Sequence, residues 1–380
     1  MKRSPPNSTK ALTGKRLKLS IIIPSPPAAG SALPVGMQKM LVEGRDSKVV
    51  IENLREIKPP GIDFQILAVK GKWLPTQRNL AIKKAHGDFI FLFDDDIIIP
   101  RGSIEAALKT FGAHADEGAS TIQVVGGPNI TPPHDSFLQH CFGFAHASFF
   151  TGAGTAVRYY PAKNIRQVTE NQLITCNLAF RAEVLKRNLF DPEICPNEEN
   201  DLLGRIREEG RSRSGAGGPL AYNKNFFVYH HRRDKLKKYL HQIFKWGEGR
   251  TLHSIKRPQH FSAVFLVPVA FLFYLISLVW PGSTWLSLVG TSTFLPQNSW
   301  PLASLWYLAP LWLYLLLDLI FSLQVVFAYH KPAAVFVMPW LFPFTHISYA
   351  LGTLYGLKHF FIKPGRHPAE SDHQLTEINL

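Results

Sequence analysis

The stretch "GDFIFLFDDDIIIP", Gly87 to Pro100, decides the fold. Phe89 to Phe93 is an unbroken run of strand-forming apolar residues, the pattern of a strand buried on both faces of a parallel sheet. Asp94, Asp95 and Asp96 follow at once, and Ile97 to Ile99 resume the run. Three adjacent carboxylates repel one another. At the end of a buried strand they require something positive opposite, usually a metal ion. Upstream, "TQRNLAIKKAHG" (76–87) predicts a helix ending at Gly87, and "FQILAV" (64–69) a strand. "KLSIIIP" (18–24) predicts the first strand, closed by Pro24. "SKVVIENLREI" (47–57) has helical spacing, and "SPPAAGSALPVG" between them reads as a loop. Downstream, "TIQVVGGPNI" predicts a strand and glycine turn, and "NQLITCNLAFRAEVLKR" a strand then a helix. "NEENDLLGRIREEG" predicts a helix with an acidic first turn, and "FFVYHHRR" a last strand. Strands alternating with helices predict an α/β domain with a mostly parallel, Rossmann-like sheet. Ligands of such sheets collect at the carboxyl ends of the strands, where the aspartates lie.

The 380 residues carry a formal net charge of +14, but the two ends differ in character. Residues 1 to about 257 are mixed and polar, whereas from Phe261 to Phe361 charge almost vanishes. Much of the basic excess lies just before that apolar region, as in cytoplasmic segments that flank membrane helices. It carries no aromatic-rich recognition motif, so nucleic acid is not an expected partner. "FSAVFLVPVAFLFYLISLVW" (261–280) and "LASLWYLAPLWLYLLLDLIFSLQVVFAY" (302–329) have the length to cross a bilayer. "AAVFVMPWLFPFTHISYALGTLYGLKHFF" (333–361) is apolar but interrupted by Pro339 and Pro343. Trp280, Trp285, Trp300, Trp306 and Trp340 suit interfacial belts. The nominal expectation is three spans, and at least two. Three simple crossings would leave Lys358, Lys363 and Arg366 outside, against the positive-inside tendency, unless the third segment is re-entrant or interfacial. Asp318, the one acidic residue of the second segment, is either a functional carboxylate or one that hydrogen-bonds a neighbour. Cys141, Cys176 and Cys195 show neither metal-ligand nor disulfide spacing and read as buried thiols in a reducing compartment. The organisation expected is a basic tail (1–17), a catalytic domain (18–234), a basic interfacial helix (235–257), a membrane region (258–363) and a polar tail (364–380). "LSIII" is too short for a signal-peptide core, so the catalytic domain is expected in the cytoplasm.

Three groups of residues carry chemistry. Asp94 and Asp96, as D-x-D, offer two carboxylates to a hard divalent cation shared with a diphosphate. Glu198, Glu199 and Asp201 crowd a predicted helix start, where carboxylates complement the dipole or supply a general base. In "HHRRDKLKKYLHQIFKWGEGR", cations are placed to hold phosphates, and Trp246 to stack or to sit among headgroups; a membrane-hugging basic helix explains most of the lysines equally well.

In this order the three groups resemble the family-two glycosyltransferases of the inverting GT-A fold, above all bacterial membrane-bound members that build exopolysaccharide or lipid-linked glycans. The resemblance rests on "LSIIIP", "PTQRNLAIKKAHGDFIFLFDDD", "GGPNITPP", "NLAFR", "PNEENDLLGRIREEG" and "VYHHRR…LHQIFKWGEGR", over residues 18–255. It implies a GT-A domain followed by transmembrane helices in the bacterial inner membrane. Asp94 and Asp96 would bind Mg²⁺ or Mn²⁺ and a nucleotide-diphosphate sugar. Glu199, with Glu198 beside it, would take the place of the catalytic base. Gln242, Lys245 and Trp246 look like a variant of the Q-x-x-R-W element that contacts diphosphate and acceptor, with lysine lacking arginine's bidentate fork. Pro24 would begin the nucleotide pocket. Where relatives end their second strand in an acidic turn that reads the base, this chain has "AVKGK", so base recognition falls to Lys70 or to Arg78 and Asn79. The implied partners are the nucleotide-sugar donor, a lipid-linked or glycan acceptor, and membrane lipids. Two alternatives are a transferase that charges a polyprenyl phosphate directly and a non-catalytic assembly subunit on a degenerate transferase fold.

Overall fold

Strand β1 (Leu17–Ser25) is buried from Leu19 onward and lies between two parallel neighbours, β2 (Ile62–Lys70) and β3 (Phe89–Phe93). The computed structural model describes residues 16–26, 47–112, 122–161, 166–214, 218–279, 300–362 and 373–380. Helix α1 (Ser47–Ile57) joins β1 to β2 and buries Val50, Ile51 and Leu54, one stripe at helical spacing. Helix α2 (Leu74–Lys84) carries Pro75 in its first turn, where a missing N–H loses no helical bond. Beyond β3 come β4 (Ile97–Ile98), α3 (Ser103–Gly112), β5 (Val124–Gly126), β6 (Asn129–Ile130), α4 (Phe137–Ala147) and α5 (Phe149–Gly152). Then follow β7 (Arg166–Gln167), β8 (Asn177–Arg181), α6 (Ala182–Arg187), α7 (Glu198–Ser214), β9 (Leu220–Tyr222) and β10 (Val228–His230). The chain closes with α8 (Leu236–Lys256), α9 (Val267–Val279), α10 (Trp300–Tyr329), α11 (Met338–Ile362) and β11 (Gln374–Asn379).

The main sheet runs β11-β2-β1-β3-β8-β5-β9-β7, and a small sheet runs β4-β10-β6. In the main sheet β2, β1, β3, β5 and β9 point one way, and β8, β7 and β11 oppose them. This is the expected α/β, mostly parallel architecture. Apolar side chains cover both faces of the sheet, with Phe91, Phe93 and Phe226 in one layer and Leu92, Phe180 and Tyr222 in the other. A buried polar knot locks the strand starts. The Ser20 hydroxyl donates to Gln65 Oε1 at 2.6 Å and accepts from the Gly87 amide at 2.8 Å. A side chain at Gly87 would place its Cβ 2.4 Å from the Ser20 nitrogen, so only glycine allows this approach.

The C-terminal third departs from expectation in three ways. The segment expected to cross as a helix over 261–280 opens with a 3-10 turn at Ala263–Leu266, and its apolar helical run covers Ala263–Leu278. Among the described residues only Trp306–Tyr329 is long and apolar enough to cross a membrane. Trp280, Trp285 and most of the Pro281–Pro301 connection lie outside the described residues. Second, the expected third span, α11, packs along α8. Gly352 lies against the Phe244 carbonyl, Gly247 against that of Tyr349 and Gly356 against that of Glu248, so the two backbones touch. Ser348 donates to the Leu240 carbonyl at 2.7 Å, and Thr251 to that of Thr353 at 3.1 Å. Third, the expected polar tail contains β11, hydrogen-bonded antiparallel along the edge of β2 from Gln374↔Lys70 to Asn379↔Gln65. Leu380 exchanges both backbone bonds with Phe64. Strands β1 and β11 therefore belong to one sheet and lie on one side of any membrane. An odd number of crossings, including the nominal three, is excluded, because a strand cannot pair with a sheet across a bilayer. Asp318 is buried on α10 and accepts a hydrogen bond from Ser322 at 3.2 Å.

Candidate active site

Strand β3 ends at Phe93, so Asp94 to Asp96 turn over the carboxyl edge of the sheet before β4 begins. β4 pairs with β10 in a register that sets His230 opposite Ile97. That register carries His230 Nε2 to 3.0 Å from Asp96 Oδ1. Asp94, Asp96 and His230 each offer a ligand atom, all within 4.8 Å of one another. Two carboxylates and an imidazole fit a divalent cation. The oxygen–nitrogen mixture suits Mn²⁺ better than Mg²⁺, which favours oxygen alone.

Arg78 links this cluster to the acidic pair. It rises from α2 into the core, 3 % exposed at its side chain, with Nη2 3.5 Å from Asp94 Oδ1 and Nη1 2.5 Å from Glu198 Oε1. Its guanidinium also lies 5.4 Å from the Phe190 ring centre. Burial pushes the Glu198 carboxyl above its ordinary range, while Arg78 pulls it down and Glu199 pushes it up. Glu198 and Glu199 open α7, where carboxylates complement the helix dipole. Glu199 faces Arg158, with Nη1 at 3.5 Å. Arg158 is itself held by the Glu170 and Asn171 carbonyls and by Asn200 Oδ1 at 2.7 Å. The ends of β1 and β2 are tied by Gln77, whose amide donates to the Ser25 carbonyl at 2.6 Å and to that of Val69 at 3.1 Å.

Beneath the metal-ligand cluster lies a buried cation. Arg232 donates to Thr131 Oγ1 at 3.0 Å and the Asn129 carbonyl at 2.6 Å, and stacks 5.3 Å over Tyr159. Tyr159 and His146 extend this wall to Trp246, which sits 5.0 Å from His146. Burial and the charge of Arg232 hold His146 well below the ordinary histidine range, so it is neutral. All three cysteines are free thiols. Cys141 and Cys176 are buried and Cys195 half-buried, and burial pushes Cys176 well up.

Of the residues singled out in the sequence, Asp94, Asp96, Glu198, Glu199 and Arg78 meet in one cluster. Asn79 points elsewhere. Its amide exchanges two 2.9 Å hydrogen bonds with the Phe190 backbone, which clamp the side chain to the loop before α7. Pro24 is buried within β1, paired with Val69, and Lys70, exposed at the end of β2, pairs with Gln374. Lys245 is engaged by Glu248 Oε2 at 2.7 Å on α8, and Gln242 is half-buried on the same helix. His230, Arg158, Arg232 and Gln77 complete the site. "VYHHRR" signalled His230 and Arg232 as cations after a strand, but only the β4–β10 register makes His230 a ligand.

Residues 46–188 match the family model described as glycosyl transferase family 2. No curated protein matches the chain. Among solved structures, it is similar to a mannosyltransferase from Pyrobaculum calidifontis in complex with GDP-Man and Mn²⁺, at 14 % identity and TM-score 0.44, covering 90 % of this chain and 88 % of that one. It is also similar to S. aureus TarS (1–349), at 12 % identity and TM-score 0.35, covering 90 % and 92 %. A third is glucosyl-3-phosphoglycerate synthase from Mycobacterium tuberculosis with Mn²⁺ and UDP-glucose, at 12 % identity and TM-score 0.34, covering 60 % and 78 %. The family match covers α1 to α6, the stretch that includes the aspartates and strands β2, β3, β5, β7 and β8 of the main sheet. Residues 46–188 thus match the glycosyl transferase family 2 model, within an α/β fold whose central sheet is mostly parallel.

Proposed function

We propose that this chain is an inverting, metal-dependent glycosyltransferase that moves a sugar from a nucleotide-diphosphate donor to a hydroxyl of a lipid-linked or glycan acceptor, in cell-envelope or exopolysaccharide synthesis. The observation that carries the reading is the chain of contacts from His230 through Asp96 and Asp94 to Arg78 and Glu198, at the carboxyl ends of β1 and β3. Asp94, Asp96 and His230 would hold Mn²⁺ or Mg²⁺, which when bound neutralises charge on the departing diphosphate. Arg78 holds Asp94 and Glu198 in place. Glu199, tied less closely to Arg158 at 3.5 Å, takes the proton from the acceptor hydroxyl. The acceptor oxygen then bonds to C1 as the C1–O bond to the diphosphate breaks, a single displacement that inverts the anomeric centre. A non-catalytic assembly subunit would have no use for three converging metal ligands beside a buried acidic pair.

The chain sits at the inner membrane, its catalytic domain on the cytoplasmic face. With β1 and β11 in one sheet, Trp306–Tyr329, the one described helix long enough to cross, would be paired with the apolar segment 261–280 as its return crossing. Helix α11 and the turn before it lie in the interface, with Trp340 on the helix and Phe336 on the turn turned outward at 69 % and 79 % exposure. Labelling of single cysteines placed at residues 60 and 377 from the same side of sealed vesicles supports this topology; labelling from opposite sides refutes it.

The catalytic reading is tested by UDP and GDP binding to detergent-purified protein with and without Mn²⁺. Metal-dependent binding that disappears in Asp96→Asn supports it. Binding of no nucleotide under any metal, dTDP included, sinks it.

A further inference from the structure

A cavity of about 380 Å³ lies beside the acidic pair, at the junction of the catalytic domain and the first apolar helix. It is lined by Gly152 to Thr155, by the polar residues Thr169, Asn171, Gln172 and Ser262, and by the apolar pair Val264 and Phe265. No carboxylate lines it. Behind the wall stands Arg250, 7 % exposed, donating to Asn171 Oδ1 at 2.9 Å and stacked 4.2 Å over the Phe265 ring. Among the described residues no carboxylate forms an ion pair with this guanidinium. A buried cation without a counter-ion is costly unless an anion arrives. The Tyr349 hydroxyl on α11 is buried and adjoins the same guanidinium. The cavity mouth is apolar: Phe261, Val264, Leu266 and Val267 are each 46–61 % exposed and lead into α9.

We propose that this cavity binds the phosphate group of an amphiphilic acceptor, with Arg250 as the counter-charge, Asn171 and Tyr349 as hydrogen-bonding partners, and the hydrocarbon chain leaving over Val264 and Phe265. The proposal rests on the transferase reading for its purpose, since it places the lipid phosphate one side chain from the base. Arg158 bonds the Asn171 carbonyl at 2.9 Å and faces Glu199 at 3.5 Å. An apolar exit beside a polar, positively backed chamber suits a phosphate carried on a lipid better than a free one. A sugar acceptor without charge would leave Arg250 uncompensated.

The test is equilibrium binding to the full-length protein in detergent, read by tryptophan fluorescence, with farnesyl phosphate, farnesol and inorganic phosphate as probes. Farnesyl phosphate is expected to bind at least about 10-fold more tightly than either of the others, since both a charge-assisted bond and chain burial are needed. Arg250→Gln should weaken it about 10- to 100-fold. Gly154→Asp is the second variant. Nothing lies within 4 Å of a Cβ there, so the new carboxylate fits without a clash and repels the phosphate. Mn²⁺-dependent UDP or GDP binding reports whether each variant is folded. Equal affinity for farnesol and farnesyl phosphate overturns the proposal, as does unchanged farnesyl phosphate affinity in both variants. Inorganic phosphate binding as tightly as farnesyl phosphate overturns the lipid source. Failure of the wild type to bind any nucleotide instead overturns the transferase reading, independently of this result.

Discussion

Replacing Arg78 by leucine isolates the contact on which the site is strung. The guanidinium is 3 % exposed and lies 2.5 Å from a Glu198 carboxylate that is itself 5 % exposed. Removing one member of so buried a pair leaves an uncompensated charge, at a cost of about 3–5 kcal/mol. The contact with Asp94 adds little, since it is 3.5 Å long and Asp94 is 29 % exposed. For a domain of this size the melting temperature should fall by roughly 6–20 °C. The loss should also depend on pH. Burial already holds the Glu198 carboxyl above its ordinary value, and Arg78 is the group that lowers it. Without Arg78 the folded-state value rises further. The native variant then keeps a proton that the unfolded chain releases, so its stability falls as pH rises through the folded-state value. The deficit relative to wild type should therefore be larger at pH 8 than at pH 5. Thermal unfolding of detergent-purified protein, followed by tryptophan fluorescence at both pH values, measures it. Glu198→Gln in the Arg78→Leu background removes the stranded charge and should restore a large part of the loss. A fall of less than about 2 °C, or a double variant no more stable than Arg78→Leu, refutes the reasoning.

Other expectations follow from the same geometry. His230→Ala should weaken Mn²⁺-dependent nucleotide binding by at least about 10-fold, because it removes one of three ligands; titration with Mn²⁺ measures this, and unchanged affinity removes His230 from the site. Glu199→Gln should lower transfer about 10²- to 10⁴-fold while nucleotide binding persists, as expected for a base that does not hold the donor. Gly352→Leu should separate α8 from α11, since a Cβ there would lie 2.0 Å from the Phe244 carbonyl. A stability loss of about 1–3 kcal/mol or more should appear as a lower melting temperature. Truncation before His373 removes β11 and opens the β2 edge, so it should lower the melting temperature and promote aggregation; a truncated protein as stable and as monodisperse as the full chain contradicts the pairing.

Local physics made much of this protein legible before its fold was known. The run Phe89–Phe93 can hardly be anything but a buried strand, and three aspartates at its end can hardly be neutral to function. The acidic start of α7 was equally plain, because a helix N-terminus favours carboxylates that recur within one turn. Apolar composition alone marked the 306–329 helix. What the sequence could not supply was every relation that depends on chain segments meeting from afar. His230 becomes a ligand of the Asp96 cluster only through the register of β10 on β4. Arg78 reaches Glu198 across 120 residues. Nothing in "QLTEIN" says that it will close the edge of β2, where Glu377 meets Gln65 across 312 residues. Asn79, beside Arg78 in sequence, turns to the Phe190 backbone, because adjacent helical positions point about 100° apart. Periodicity and capping are written within a few residues and survive reading one chain at a time. Register, strand order and the pairing of buried charges are settled only when the sheet assembles, because their energies belong to contacts between segments.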